Sequence, residues 1–387
     1  MKLVIVSHKP CWYCESSPTK CATDGGFPYQ TQAVSELFDE TVVAVPVESN
    51  GNREGEIHLT GHHLSITPLR VPAGRGIWRK MAMAPWLFLS LNTLLREIRR
   101  ADAVCALIPG DIGTFGLILA LALRKPLFTR YCGNWLVQRT VTERFLHWVM
   151  ERTAGGRNVM LATGGADEPP SRRNPNVRWI FASTMGRTEL EACATIRHFQ
   201  DDGHLRLIIA CRQEPGKGTD LVIRSLPLVL RKYAGTMLDV VGDGSALAGL
   251  KRLAGELGLG ERVIFHGKVD HAGVIRLMQR ADLFCYPTAS EGFPKVVVEA
   301  LACGLPVITT RVSVLPKLMA GGCGLLLEGA SAESIAKAIE ACVSDPQTYE
   351  AMSAKAVETA QGLSLERWRD SLERELTRAW GPLACKA

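Results

Sequence analysis

Between residues 205 and 310, short apolar, β-branched runs alternate with longer segments whose apolar residues recur every three or four positions. The short runs are "LRLIIA" (205–210), "MLDVVG" (237–242), "RVIFHG" (262–267), "DLFCYP" (282–287) and "LPVITT" (305–310). A helical period follows each, the first being "TDLVIRSLPLVLRKY" from Thr219. This alternation predicts βα units and a parallel sheet. The first half repeats it through "LVIVS", "TVVAVPV", "AVCALIP", "PLFTRY" and "NVMLAT". Thr140 and Glu143 stand in capping-box register ahead of "TERFLHWVMER". The pattern predicts an α/β chain of two doubly wound halves, joined near residues 192–203. Open parallel sheets hold ligands outside the carboxyl ends of their strands, so the loops that follow strands carry the chemistry.

Composition narrows the class. The 387 residues are enough for two domains, and their apolar and charged fractions are those of a soluble globular protein. We expect no secretory leader, because the opening residues read as a buried strand. Twelve cysteines, many in apolar segments (Cys105, Cys193, Cys285, Cys303, Cys342), are then expected as reduced core thiols of a cytoplasmic protein. Residues 1–190 hold 22 Lys and Arg against 16 Asp and Glu, whereas the remainder holds 23 of each. That imbalance favours an anionic partner for the first half, such as a lipid headgroup layer or a phosphorylated acceptor. The most apolar stretch, residues 76–100, is interrupted by Pro85, and its uninterrupted apolar part falls far short of the ~20 residues a membrane span needs. Arg75, Arg79 and Lys80 precede or open it and Arg96, Arg99 and Arg100 close it, as suits an interfacial segment or a buried helix with a basic end.

Two loops of the second half carry the clearest chemistry. In "TASEGFPKVVVEALACGLPV", Pro294 is expected at the first position of a helix that stops at Gly304. Glu291 and Gly292 then lie before a helix N-terminus, whose free N–H groups suit a diphosphate. Glu299 falls within the helix on the face of Lys295. A carboxylate there suits a ribose diol. In "CRQEPGKGTD", Arg212 and Lys217 flank a turn expected to bring both cations to one point, where they neutralise a leaving diphosphate.

The segment "SEGFPKVVVEALACGLPVI", with seven residues between its glutamates, resembles the signature of retaining glycosyltransferases of family 4, which have the GT-B fold. "CRQEPGKG" is similar to that family's Arg-x4-Lys-Gly element, with Cys211 where glycine is usual. "VVGDGS" and "VIFHGKV" resemble its next two loops. The resemblance implies two facing Rossmann-like domains with a cleft between them. It assigns Glu299 to the ribose hydroxyls, and Arg212 and Lys217 to the diphosphate. Glu291 with the Gly292 and Phe293 backbone takes the donor sugar, while Gly267, Lys268 and Val269 touch the base. Boundaries are set at 1–198 for an acceptor-binding domain and 199–364 for a nucleotide-sugar-binding domain. Residues 365–387 form a helix returning to the first. Two other motifs fail: Gly242-x-Gly244 lacks the third small residue of a dinucleotide fingerprint, and "GKGTD" is no phosphate-binding Walker loop.

Residues 7–30 raise a separate question. His8, Cys11, Cys14 and Cys21 supply four soft ligands, but the spacing matches no standard zinc pattern and no thioredoxin-like context surrounds the CxxC. The segment is read as a metal-free substrate loop in which Gly25 and Gly26 let backbone approach a ligand. No histidine follows "PLFT" or "AVCALI", which leaves Asp111 and Arg130 as candidates; Asp111 equally suits a helix cap.

The expected protein is a retaining glycosyltransferase of cell-surface polysaccharide or glycolipid synthesis. It uses a nucleoside diphosphate sugar, a carbohydrate or lipid-linked acceptor, no metal cofactor and no nucleic acid. Peripheral contact with the inner membrane face goes with its basic first domain. A sugar-nucleotide epimerase on the same fold and a non-catalytic nucleotide-sugar-binding protein are the alternatives.

Overall fold

The computed structural model describes residues 1–49, 56–74 and 76–383, without the side chains of residues 76, 77, 80, 81 and 84. Each of the ten short apolar runs named from the sequence forms a strand, further strands are added to them, and the chain divides into two units. One comprises 1–184 with 365–387; the other comprises 185–364. The first boundary thus falls after Thr184 rather than after residue 198, and residues 185–198 belong with the second unit. The reason is packing. The Arg197 guanidinium donates to the carbonyls of Met278, Ala281 and Cys303 at 2.7–3.0 Å, and its backbone N–H donates to Ser353 Oγ.

The first unit begins β1 (Lys2–Val6), β2 (Cys11–Tyr13), β3 (Cys21–Thr23), α1 (Phe27–Ser35), β4 (Glu40–Glu48), β5 (Ile57–His58) and β6 (Leu64–Leu69). It continues with α2 (Gly76–Arg100), β7 (Ala103–Ile108), α3 (Asp111–Ala122), β8 (Leu127–Tyr131), α4 (Val141–Thr153), β9 (Asn158–Thr163) and β10 (Val177–Ile180). The strand order is β10-β9-β8-β7-β1-β4-β2-β3-β5, with β6 also on β4. Pairing is parallel except around β3, which is antiparallel to both β2 and β5. Residues 7–30 are therefore not one open loop: they build an edge ribbon that continues the sheet.

The second unit runs α5 (Arg187–Cys193), β11 (Arg206–Ala210), α6 (Thr219–Val229), β12 (Met237–Val241), α7 (Leu247–Glu256), β13 (Val263–Gly267) and α8 (His271–Arg280). It then adds β14 (Leu283–Tyr286), α9 (Lys295–Ala302), β15 (Val307–Thr309), α10 (Leu315–Met319), β16 (Gly324–Leu326), α11 (Ala332–Val343) and α12 (Pro346–Gln361). Its six strands are all parallel, in the order β13-β12-β11-β14-β15-β16.

The last helix, α13 (Leu365–Trp380), returns to the first unit. Its strongly amphipathic sequence buries Trp368, Leu372 and Leu376 against Leu3, Phe38, Phe128 and Leu161. Opposite, α2, α3 and α4 cover the other sheet face through Trp86, Leu94, Leu117 and Leu146. Helix α2 continues through Pro85, which stands on its exposed side while Met83, Trp86, Leu94 and Ile98 face inward. Of the basic residues around this helix, Arg75 and the Lys80 side chain lie outside the described residues. Among the described residues no helix is long and apolar enough to cross a membrane. The capping box forms as expected, with Glu143 N–H on Thr140 Oγ1 at 3.1 Å and Thr140 N–H on Glu143 Oε2 at 2.9 Å.

Candidate active site

Winding of the second sheet reverses between β11 and β14, the position at which open α/β sheets hold ligands. Two loops leave that reversal, residues 211–218 and 287–294. They are joined by a bond from Ala289 N–H to the Gly216 carbonyl at 2.8 Å. Gly218 permits the approach. Its φ is +82°, and a Cβ there would stand 2.4 Å from the Pro287 carbonyl oxygen. Lys217 is thereby ion-paired with Glu291, and the Tyr286 hydroxyl donates to the same carboxylate oxygen. Burial, reinforced by the Glu291 charge, raises the Tyr286 phenol far above its ordinary range, so it stays a donor. An ammonium, a carboxylate and a phenol thus meet at the reversal.

Arg212 does not join them. The side chain between the two cations explains why: Gln213 is fully buried, accepting from Thr219 Oγ1 at 2.7 Å and donating to the Val241 carbonyl at 2.9 Å. Anchoring Gln213 inward turns Arg212 outward, where it is exposed and its charge acts on Glu214. Cys211, the residue in the usual glycine position, is pushed up to about 11 by burial and is no nucleophile at neutral pH.

Glu299 lies half-buried on α9, and Pro294 precedes that helix at the cap rather than opening it. Burial raises the Glu299 carboxyl above its ordinary range, against the opposing charges of His271 and Lys295. His271, first residue of α8, places Nδ1 3.8 Å from Glu299 Oε1 and Nε2 2.7 Å from Glu189 Oε1. The hydrogen bond with Glu189 raises His271, helped by the Glu299 charge and opposed by burial. Gly292 is held by Ser313, whose hydroxyl donates to its carbonyl at 2.7 Å, and Phe293 is buried. Gly267 has φ +65° and accepts Gly242 N–H at 2.7 Å; Lys268 is exposed beside it and Val269 half-buried. Gly242 and Gly244 serve packing. A Cβ on either would lie 1.9 Å from the Cys211 carbonyl or 2.4 Å from that of Gln213, respectively.

Sequence reasoning missed Tyr286, Gln213, His271 and Glu189. Tyr286 ends a strand and His271 opens a helix, two positions that were available as signals; nothing in the sequence marked Glu189.

The first sheet has its own reversal, between β1 and β7. Asp111, just beyond β7, accepts Arg79 Nε at 2.7 Å and Ile112 N–H at 2.9 Å. Burial opposes its ionisation, but those two hydrogen bonds outweigh it and hold the carboxyl below its ordinary value. Gly110, not Asp111, is the cap of α3. His8, just beyond β1, lies on the Gly110 backbone, where a Cβ would stand 2.0 Å from its Nδ1. Burial lowers the His8 imidazole, with Asp111 opposing, so the ring is neutral at pH 7. A histidine therefore does stand at a strand end of this unit, after the first strand. Arg130 lies in the core instead: it donates to Gln30 Oε1 at 2.5 Å and stacks 4.7 Å over Trp368. The alternation of β8 places it on the sheet face that α13 covers. Gly25 has φ +68° with open space around a Cβ position, and Gly26 caps α1.

The fold separates the four soft ligands of residues 7–30. Cys11 and Cys21 are hydrogen-bonded thiols on neighbouring strands, His8 lies at the β1–β7 reversal, and Cys14 is beside Glu56 and His58. The cysteines at 105, 193, 285, 303 and 342 are free and buried.

Comparison with known proteins accords with this geometry. HepE of Anabaena, solved in complex with UDP and glucose, superposes with a TM-score of 0.70 at 18% identity, covering 97% of this chain and 99% of that one. The architecture is the GT-B fold. The model for glycosyl transferases group 1 matches residues 197–359. The GDP-mannose-dependent alpha-(1-6)-phosphatidylinositol monomannoside mannosyltransferase of Mycolicibacterium smegmatis is 31% identical over 271 residues, 62% of this chain and 70% of that protein. The D-inositol 3-phosphate glycosyltransferase of an Arthrobacter species is 28% identical over 258 residues, 56% of this chain and 61% of that protein. The chain belongs to glycosyltransferase family 4, whose members are nucleotide-sugar-dependent glycosyltransferases.

Proposed function

We propose that the protein moves a sugar from a nucleoside diphosphate to an acceptor hydroxyl with retention of anomeric configuration. The observation that carries this reading is the convergence of Lys217, Glu291 and Tyr286 at the β11–β14 reversal. In the proposed complex, Lys217 and Arg212 meet the diphosphate. Glu291 and the Gly292 and Phe293 backbone hold the sugar, with Lys295 nearby on the helix. Glu299 accepts the ribose hydroxyls, and residues 267–269 flank the base. As the bond from the anomeric carbon to the diphosphate oxygen breaks, negative charge accumulates on the leaving group, and prearranged cations favour that state over the ground state. A divalent metal has no required part in this step.

The acceptor is proposed to bind the first unit, with Gly25 and Gly26 near it. Its class is proposed as carbohydrate or lipid-linked, in cell-surface polysaccharide or glycolipid synthesis; the named substrate of the mycobacterial relative, a phosphatidylinositol mannoside, supports that class. Counted by unit, charge is more segregated than along the sequence. The first holds 26 Lys and Arg against 19 Asp and Glu, the second 19 against 20. Val141, Phe145 and Trp148 form one exposed stripe on α4 beside Arg144 and Arg152, and Trp78, Phe88 and Leu89 are exposed on α2. These features support peripheral contact with anionic lipid at the cytoplasmic face.

The test is thermal stabilisation by UDP, GDP, ADP and their sugars, followed by transfer assays with and without added magnesium or manganese. A saturating nucleotide at a hundredfold excess over Kd should add about 2.7 kcal/mol of stability. Failure of every nucleotide to stabilise the protein defeats the reading, and strict dependence on an added divalent ion defeats the metal-free step. Phe145→Ser with Trp148→Ser should reduce co-sedimentation with anionic vesicles; undiminished binding removes the α4 stripe from the membrane contact.

A further inference from the structure

The ribbon of β2, β3 and β5 brings together three metal-ligating side chains that lie outside the transfer site. Cys14 Sγ, a Glu56 carboxylate oxygen and a His58 ring nitrogen all lie within 4.8 Å of one another. Cys14 Sγ is 3.5 Å from Glu56 Oε1, and His58 Nε2 is turned to the same place, 3.2 Å from the Ser16 hydroxyl. That hydroxyl is in turn 3.1 Å from Cys14 Sγ. From these contacts we infer that Cys14, Glu56 and His58 form a zinc site that clips the edge ribbon together.

Three features support the inference. The first is donor chemistry. Thiolate, imidazole and carboxylate are the zinc donors, with bonds of roughly 2.3, 2.0–2.1 and 2.0–2.2 Å. A tetrahedron of that size separates its corners by about 3.3–3.8 Å, so the sulfur–carboxylate pair is already spaced for it, and the imidazole lies within 4.8 Å of both. Binding converts the Cys14 thiol to a metal-bound thiolate and releases one proton. Thiolate and carboxylate then balance the two charges of the ion, and Ser16 or a water supplies the fourth position.

A neighbouring indole orients the carboxylate. The Trp12 indole N–H donates to Glu56 Oε2 at 2.9 Å, while Oε1 is the oxygen that faces Cys14 Sγ. Such outer contacts set the ligand's direction and basicity.

The third feature is need and access. The ribbon's own buried cluster consists of Trp12, Cys14 and Ala22. So small a core gains much from a clip between β2 and β5, because a site that exists only in the folded chain turns binding energy into folding energy. Glu56 and His58 also line a cavity of about 450 Å³ with Tyr29, Gln32 and Thr60, which gives an ion a way in.

The experiment uses the full chain, reduced, stripped with a chelator, and titrated with Co2+ as the spectroscopic probe. One equivalent per chain is expected, with tetrahedral visible bands, a near-ultraviolet sulfur-to-cobalt transition, and displacement by Zn2+. Cys14→Ser should abolish the sulfur transition, and His58→Gln should weaken binding at least tenfold. Cys132→Ser, at an exposed cysteine, should behave as wild type. Trp12→Phe should lose roughly 10–100-fold in affinity. Should Cys14→Ser not fold, by circular dichroism, His58→Gln and Trp12→Phe carry the same test. Less than one-tenth of an equivalent bound, a spectrum without a sulfur transition, or unchanged affinity in His58→Gln overturns the site. Nucleotide binding by the second unit is read separately, so this outcome leaves the transferase reading untouched.

Discussion

The two units place comparable loops at comparable points of their sheets and furnish them differently. At the β11–β14 reversal a lysine, a glutamate and a tyrosine converge, and the carboxylate's counter-charge is a flexible ammonium that a diphosphate can take over. At the β1–β7 reversal the acid is already spent. Asp111 is held by Arg79 and by the start of its own helix, and His8 beside it is neutral. One reversal carries a charged cluster; the other carries a neutral ring set closely against backbone. The difference shows that topology locates a crevice, whereas the residues on its rim decide what enters it.

The strongest way to break this contrast is at Lys217. Lys217→Ala should lower turnover by two to three orders of magnitude, about 3–4 kcal/mol of lost transition-state stabilisation. Arg212→Ala should act in the same direction even though its side chain begins outside the cluster. Wild-type turnover in Lys217→Ala would mean that the second reversal does not act on the leaving group.

Glycines test the scaffolds beneath the two reversals. Gly242→Ala sets a Cβ 1.9 Å from the Cys211 carbonyl at φ +111°, so overpacking and backbone strain together should cost about 2–4 kcal/mol in urea denaturation. Gly110→Ala meets a side chain, His8, at an extended backbone and should cost less, about 1–3 kcal/mol. Equal losses would show that the His8 ring is as immovable as a carbonyl.

Glu299→Ala should weaken nucleotide binding by about 1.5–3 kcal/mol, the scale of hydrogen bonds to a charged group, as read by calorimetry. An unchanged Kd removes Glu299 from the ribose. Gly25→Ala has room for its methyl and pays only for its positive φ, about 1–2 kcal/mol of stability; a far greater loss of activity than of stability would place a ligand against this backbone.

The smallest expected effect is electrostatic. His271 binds its proton more tightly folded than unfolded, so its contribution is fully present below pH 6.5 and is lost as pH rises through the higher folded value. The stability gap between wild type and His271→Gln should therefore narrow with rising pH. A gap that widens would reverse the assigned direction.

Much of the fold was legible because βα units are local. The strands of the second unit are short, mostly apolar runs and its helices have a period of their own, so alternation alone yields parallel sheets. The edge ribbon escaped for the opposite reason: β2, β3 and β5 are two or three residues long, too short to show a period, and exist through their partners. Arg130 was misread on similar grounds. Its place near a strand end was visible, but which face it occupies depends on the sheet and on Trp368, more than two hundred residues away.

What the sequence by itself determined is the set of loops: the turn that holds Lys217 and the helix start between Glu291 and Glu299 follow from turn and cap signals within a few residues. Tertiary structure alone decided their company. Lys217 and Glu291 are 74 positions apart, and only the adjacency of β11 and β14 makes them an ion pair. Arg212 was turned outward by the buried neighbour that anchors its loop. Cys14 was taken from its sequence neighbours and set beside Glu56 and His58, because strand pairing, not spacing, chooses which side chains meet.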